Sequence, residues 1–329
     1  MAVDTMVATE RQAPAWKRIG TMREAGLIAI ILALGIIMSF ASPHFLTFGN
    51  MRAMLMSFSV EGIVVVGMTI LLIVGGIDLA VGSVVCFAMV LAGSLFLAGV
   101  DPWTASLVGI LASSVIGMIM GFFVTVVGLN HFITSLAAMV IVRGLCLVIT
   151  KGTPLSLFTL PASFKAVGQG TFHGVPYVIL IFVAVVILFD FLLRRATAFR
   201  KVFYTGSNEK AALYSGIRTK QVKFWVTVLC STLAGVAGVI YMSRFGAATP
   251  TFGVGMELNI IAAAVIGGAS LNGGSGTILG AILGMALLSV VTSSLILLDV
   301  SVYWQDMIKG CILLAAVSID HLLHKRKAA

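Results

Sequence analysis

Apolar positions run along this chain in long unbroken stretches, separated by short polar ones. A helix needs about 20 such residues to cross roughly 30 Å of hydrocarbon. On that rule the pattern predicts spans near 25–42, 57–76, 80–99, 104–129, 132–150, 176–193, 223–243, 257–270, 277–298 and 304–322. The expected fold is therefore an all-α integral membrane protein of about ten helices, with broken or re-entrant segments. The run 257–270 is short enough for a re-entrant helix held inside protein, and if it does not cross, the C-terminus changes sides. Two glycine-rich stretches interrupt the grease: VGGIDLAVGS at 74–83 and GGASLNGGS at 267–275. They share Gly, Gly, Leu, Gly and Ser at equal offsets, but a chain with 35 glycines matches itself easily, so an internal repeat does not follow.

Composition agrees with the pattern. Apolar residues make up 60% of the chain and charged ones 10%, where a soluble domain carries about 25% charge. The net charge of +9 does not point to nucleic acid, because the cations gather in a few short stretches. Arg11, Lys17, Arg18 and Arg23 precede the first span, a second group from Arg194 to Lys223 follows the sixth, and Lys325, Arg326 and Lys327 close the chain. By the positive-inside rule all three face the cytoplasm. This divides the chain into a leader 1–24, a polytopic domain 25–322 with a cytoplasmic loop 194–223, and a basic tail 323–329. SFAS, from Ser39, has the look of a cleavage site, but the long polar leader and the immediate further spans favour an uncleaved first helix.

Candidate chemistry is sparse. Cys86, Cys146, Cys230 and Cys311 lie within apolar runs without metal spacing and read as packing residues. The chain lacks the phosphate-loop lysine motif, H-E-x-x-H and G-x-S-x-G. His321 and His324 share a helix face beside the basic tail and read as interface residues. Glu61, Asp190, Glu257, Asp299, Asp306 and Asp320 fall near predicted span ends, where water lowers the cost of charge. Asp78, beside Gly75 and Gly76, is the nearest to an intramembrane acid. In the cytoplasmic loop, Ser207 or Asn208 can cap a short helix from Glu209 to Tyr214 that Gly216 ends. Such a helix suits docking into a partner's groove, or merely stiffens a solvated loop.

Five segments carry a resemblance: GIDLAVGS at 76–83, HFITSLAAMVIVRGL at 131–145, GSNEKAALYSGI at 206–217, GMELNIIAAAVIGGASLNGGSGTILG at 255–280 and YWQDMIKGCILLAAV at 303–317. Together they resemble the permease family of ribose, xylose, arabinose and galactoside ABC importers, over nearly the whole chain from about residue 25. The resemblance implies a multi-pass subunit of the bacterial inner membrane, surrounded by lipid, that imports a pentose or hexose by alternating access. The implied partners are a second permease subunit (the same chain or a sister), a periplasmic sugar-binding protein and a cytoplasmic ATPase with two fused nucleotide-binding domains. That ATPase would bind ATP and Mg, so this chain is expected to bind no cofactor or metal and to catalyse no reaction.

The family's coupling segment maps onto Asn208, Glu209, Ala211, Ala212 and Gly216. Irregular backbone at membrane depth is tolerated where it lines a cavity or is packed in protein. Gly75, Gly76, Asp78, Gly82, Ser83, Gly267, Gly268 and Asn272 are accordingly candidates for the translocation path or its helix breaks. Two positions depart from the family pattern, Ala80 in place of Ser and His131 in place of Pro, and either could touch the route. The extracellular stretch 151–175 is the candidate contact for the binding protein. The alternative class is an ion-coupled secondary transporter of a small polar solute, with Asp78 as its carrier.

Overall fold

A computed structural model describes residues 23–305, 307–312, 314–315 and 318. The predicted tail, nearly all of the predicted leader, and Asp306, Asp320, His321 and His324 lie outside the described residues. The elements in chain order are α1 Arg23–Ala41, α2 Phe48–Ile73, α3 Val81–Leu97, α4 Pro102–Phe122, a π-helical turn Phe123–Val127 and α5 His131–Thr150. A connecting segment follows with β1 Leu155–Ser156, α6 Ala162–Gln169, β2 Thr171–Phe172 and β3 Val175–Pro176. Next come α7 Tyr177–Arg195, α8 Thr197–Ser207, α9 Glu209–Tyr214, α10 Thr219–Phe245, β4 Ala247–Ala248, α11 Met256–Ile266 and α12 Ile278–Leu297. A last helical stretch begins at residue 302. The two-residue strands pair antiparallel: β1 with β4, which pins the stretch after α5 to the end of α10, and β2 with β3, which forms a small hairpin within the connecting segment.

Local sequence explains where helices begin. Asp101 accepts from the N–H groups of Trp103 and Thr104, and Pro102 occupies the first turn, where its missing N–H costs nothing. Thr47, Asn130 and Thr277 cap α2, α5 and α12 in the same manner. Among the described residues, seven helices are long and apolar enough to cross a membrane: α1, α2, α4 with its π turn, α5, α7, α10 and α12. The third expected span is the 17-residue α3, about 26 Å at 1.5 Å per residue. The eighth is the 11-residue α11, about 16 Å, or half a hydrocarbon core. The stretch expected at 304–322 is described only in part.

The core is built around α10, which packs against α2, α3 and α4, and α4 also packs on α3. Small residues set the crossings, as expected where apolar burial alone does not drive helix association. A Cβ on Gly67 of α2 would meet the Cys230 backbone of α10, and one on Gly117 of α4 would meet Ser231 and Val228 of α10. By contrast α1 and α5 present Ile30, Leu32, Ile36, Phe40, Ile133, Val140, Ile141 and Val148 outward. An outward apolar surface of this kind suits a membrane environment. Backbone contacts pair Gly267 with Gly280 and Ala263 with Gly284, so α11 and α12 form a close antiparallel hairpin.

One expectation is overturned. Glu61 is not near a helix end: α2 starts at Phe48, nine residues before the predicted span, so Glu61 lies at its middle. The stretch 48–56 contains Asn50 and Arg52, which masked a helix that packs its polar residues inward.

Candidate functional site

The loop 194–223 is mostly helical. After α7, α8 runs to Ser207 and α9 follows directly. Asn208 is extended at φ −157°, and its side-chain oxygen accepts from the Ala211 N–H at 3.0 Å. At the far end Gly216 adopts φ +81°. Its N–H reaches the Leu213 carbonyl and the Ile217 N–H reaches that of Ala212, both at 3.0 Å. This is a Schellman cap, whose left-handed residue glycine supplies without strain. Ala212 is buried and seats α9, while Leu213 and Tyr214 project outward, Tyr214 being 89% exposed. Glu209 pairs with Lys223 at 2.6 Å. The result is a short helix capped at both ends, with Leu213 and Tyr214 exposed at its tip.

The first glycine break is a second Schellman cap. The Gly75 N–H donates to Leu72 and the Gly76 N–H to Leu71, each at 2.9 Å, with Gly75 at φ +86°. The chain then turns through Ile77 to Asp78, which is fully buried. One Asp78 oxygen accepts from the Ala80 N–H at 2.7 Å, and the other has no hydrogen-bond partner among the described residues. His131 clamps this turn: Nδ1 donates to the Ile77 carbonyl at 2.8 Å, and Nε2 lies 2.9 Å from the Thr227 hydroxyl of α10. Ser135 donates to the same carbonyl at 3.1 Å. At a typical net worth of roughly 1 kcal/mol each, these bonds give the departure from proline a local reason. His131 ties the break to both α5 and α10. Beside it a cavity of about 500 Å³ is lined by Gly75, Gly76, His131 and Lys223.

The second break repeats the cap with a shift. Here the left-handed residue is Gly268 at φ +104°, the second glycine of its pair, whereas in the first break it is Gly75, the first. The two stretches therefore do not superpose in the register their sequences suggest. Asn272 continues the turn, its N–H donating to the Ser270 hydroxyl at 3.2 Å.

The breaks nevertheless meet each other and the loop. The Gly274 N–H donates to the Ile73 carbonyl at 2.8 Å, and a Cβ on Gly273 would touch both Gly206 and Gly75. A Cβ on Gly206 would fall onto the Ile73 carbonyl and the Gly274 amide. Ser207 contacts Gly274 from the same turn of α8. The last turn of α8, immediately before the Asn208 cap, is thus wedged between the two helix breaks. Gly82 and Ser83 are not part of this junction. Gly82 abuts the Gly253 carbonyl, and Ser83 donates to Met139 of α5 at 3.0 Å, so they fix the start of α3.

Gly206, Lys223 and Ile73 were missed as site residues, and Ser207, the alternative cap, contacts Gly274 while Asn208 does the capping. A Gly-Ser pair before an N-cap was the available signal, since glycine in a helix costs up to about 1 kcal/mol and calls for a packing reason.

A bundle of apolar helices, one half-length helix folded back on its neighbour, and a capped surface helix wedged against two breaks together define a polytopic transport-type membrane protein. The chain matches, over residues 50–317, the family model described as the permease component of the branched-chain amino acid transport system. It belongs to that family of permeases. It is 36% identical over 315 residues to the ribose import permease protein RbsC of Bacillus subtilis, covering 95% of this chain and 98% of the relative. The RbsC of Escherichia coli K12 is 36% identical over 302 residues, covering 91% and 94%. The L-arabinose ABC transporter permease protein AraH of Azospirillum brasilense is 33% identical over 320 residues, covering 96% and 94%. No solved structure matches the chain.

Proposed function

We propose that this chain is the membrane-spanning subunit of an ATP-driven monosaccharide importer, and that Asn208 to Gly216 is its coupling segment. The observation that carries the reading is the wedge at Gly206: the segment expected to meet an ATPase is built into the two helix breaks that would have to move. The names of the relatives supply the class of cargo, a ribose- or arabinose-type sugar. ATP binding closes the ATPase dimer, α9 follows it, and α8 carries the motion to Ile73 and Gly274. Work is done because nucleotide affinity differs between the two states of the bundle. A binding protein delivers sugar from the opposite face, and a second permease copy or sister completes the membrane unit.

Cells expressing this chain with its ATPase and binding protein should accumulate a labelled pentose or hexose, and a hydrolysis-dead ATPase should stop them. Accumulation that survives without the ATPase, and that an ionophore abolishes, overturns the reading. Glu61 gives that ion-coupled rival a mid-helix acid which Asp78 did not. Family membership weighs against it, because permease components of this family are parts of multi-subunit systems.

The two ends of the chain belong, on this reading, to the face that bears α9, as the clustered cations require. A reporter fused after Ala329 should read cytoplasmic; a periplasmic reading means that the half-length α11 and α12 do not together contribute an even pair of crossings.

A further inference from the structure

α2 carries polar residues at helical spacing where lipid-facing or core positions would be apolar: Asn50, Ser57 and Glu61 lie on one face. With Asn259 of α11, Thr292 of α12 and Lys309 of the last helical stretch they line a cavity of about 320 Å³. Such a volume lies near the lower end of the roughly 300–1,000 Å³ typical of small-molecule sites, which suits a solute the size of one sugar ring. Glu61 lies thirteen residues after Phe48 and twelve before Ile73, hence about 18–20 Å from either end of α2. Every residue from Gly62 to Ile73 is buried. The cavity therefore starts near Asn50, at the end remote from the coupling junction, and closes at mid-depth on Glu61.

Acids at this depth are rare and mark substrate or ion pathways. The chemistry around Glu61 favours a neutral polyol. Lys309 and Arg244 bring positive charge towards Glu61, so the acid has its counter-charge within the protein and does not call for a cationic ligand. Arg244 donates to the Ser57 hydroxyl at 3.3 Å, and Ser293 donates to the Asn50 side-chain oxygen at 3.2 Å, which fixes the walls. The polar groups are spread along the cavity from Asn50 to Glu61, as hydroxyls are spread around a sugar ring. A zwitterionic amino acid would call for them to be concentrated at one end, opposite an apolar pocket.

We propose that this cavity holds a monosaccharide in transit, with ring hydroxyls exchanging hydrogen bonds with the Glu61 carboxyl group, Asn259 and Thr292. The proposal rests on the sugar-importer reading and moves the substrate contacts away from the glycine breaks.

The test is protection of an introduced thiol in membranes bearing the full chain. Thr292→Cys, on a Cys311→Ser background that removes the exposed native thiol, is reacted with a small methanethiosulfonate reagent. At about ten times the dissociation constant, ribose, arabinose or galactose should slow labelling roughly tenfold, as mass action requires, and leucine should not. Glu61→Ala in the same background should label at the unprotected rate with sugar present. Ser57→Cys provides the second probe if the first variant does not insert.

Absence of protection by any sugar, protection by leucine, or protection undiminished in Glu61→Ala overturns the site. Uptake of labelled sugar by the wild-type importer, measured in parallel, separates the two ideas. If uptake proceeds without protection, only the cavity assignment fails; if uptake by the intact importer is absent, the importer reading fails.

Discussion

Gly206→Val is expected to leave the chain in the membrane and to reduce uptake to a small fraction of the wild-type rate. A Cβ at this position points at the Ile73 carbonyl oxygen and the Gly274 amide nitrogen, both backbone atoms. No side chain can rotate away to make room. The added bulk must push α8 out of its wedge or break the 2.8 Å bond from the Gly274 N–H to Ile73. Overpacking of this kind costs about 1–3 kcal/mol, which biases the equilibrium between bundle states by roughly 5- to 150-fold where one state bears the clash, since about 1.4 kcal/mol is a factor of ten. Gly206→Ala should show the same defect in milder form. Gly144→Ala is the control, because a Cβ there meets nothing within 4 Å and alanine favours the helix. Uptake in whole cells, normalised to membrane-inserted protein, makes the comparison. Wild-type uptake by Gly206→Val would remove the junction from the coupling route.

The sequence disclosed the junction's parts but not their meeting. Each break was legible because glycine pairs at the end of an apolar run have few uses besides a helix stop, and Asn208 with Gly216 bracketed α9 by ordinary capping chemistry. α8 was not anticipated, because its cations and polar residues read as loop, and periodicity over 11 residues is weak evidence when the helix is amphipathic against a protein surface. The contact of Gly206 with Gly274 joins residues far apart in sequence, and nothing in local pattern encodes it. Glu61 was misplaced for a different reason. A hydropathy window places a helix's start where the grease begins, yet α2 begins earlier with residues that face a polar cavity. The stripe Asn50, Ser57, Glu61 was visible all along as a helical period, but of polar residues.

Glu209 offers the sharpest test of coupling because its bond within the chain can be separated from any bond outside it. The Glu209–Lys223 pair is short, but the Glu209 side chain is 47% exposed and that of Lys223 26%. Pairs exposed to this degree contribute about 0–1 kcal/mol to stability. Glu209→Lys should therefore insert normally and unfold close to the wild-type temperature, while placing a like charge beside Lys223. If α9 engages an ATPase groove, the reversal should lower uptake by roughly 5–150-fold, the range that a coupling energy of about 1–3 kcal/mol spans. ATP hydrolysis by the assembled complex should persist. Exchanging both partners, Glu209→Lys with Lys223→Glu, restores the pair within the chain with its charges transposed. On the coupling reading this double variant stays deficient in uptake, because the groove still meets a cation where it needs an anion. Recovery of uptake in the double variant would show that Glu209 serves only to hold α9 against α10, and the contact with the ATPase would then have to rest on the exposed Leu213 and Tyr214.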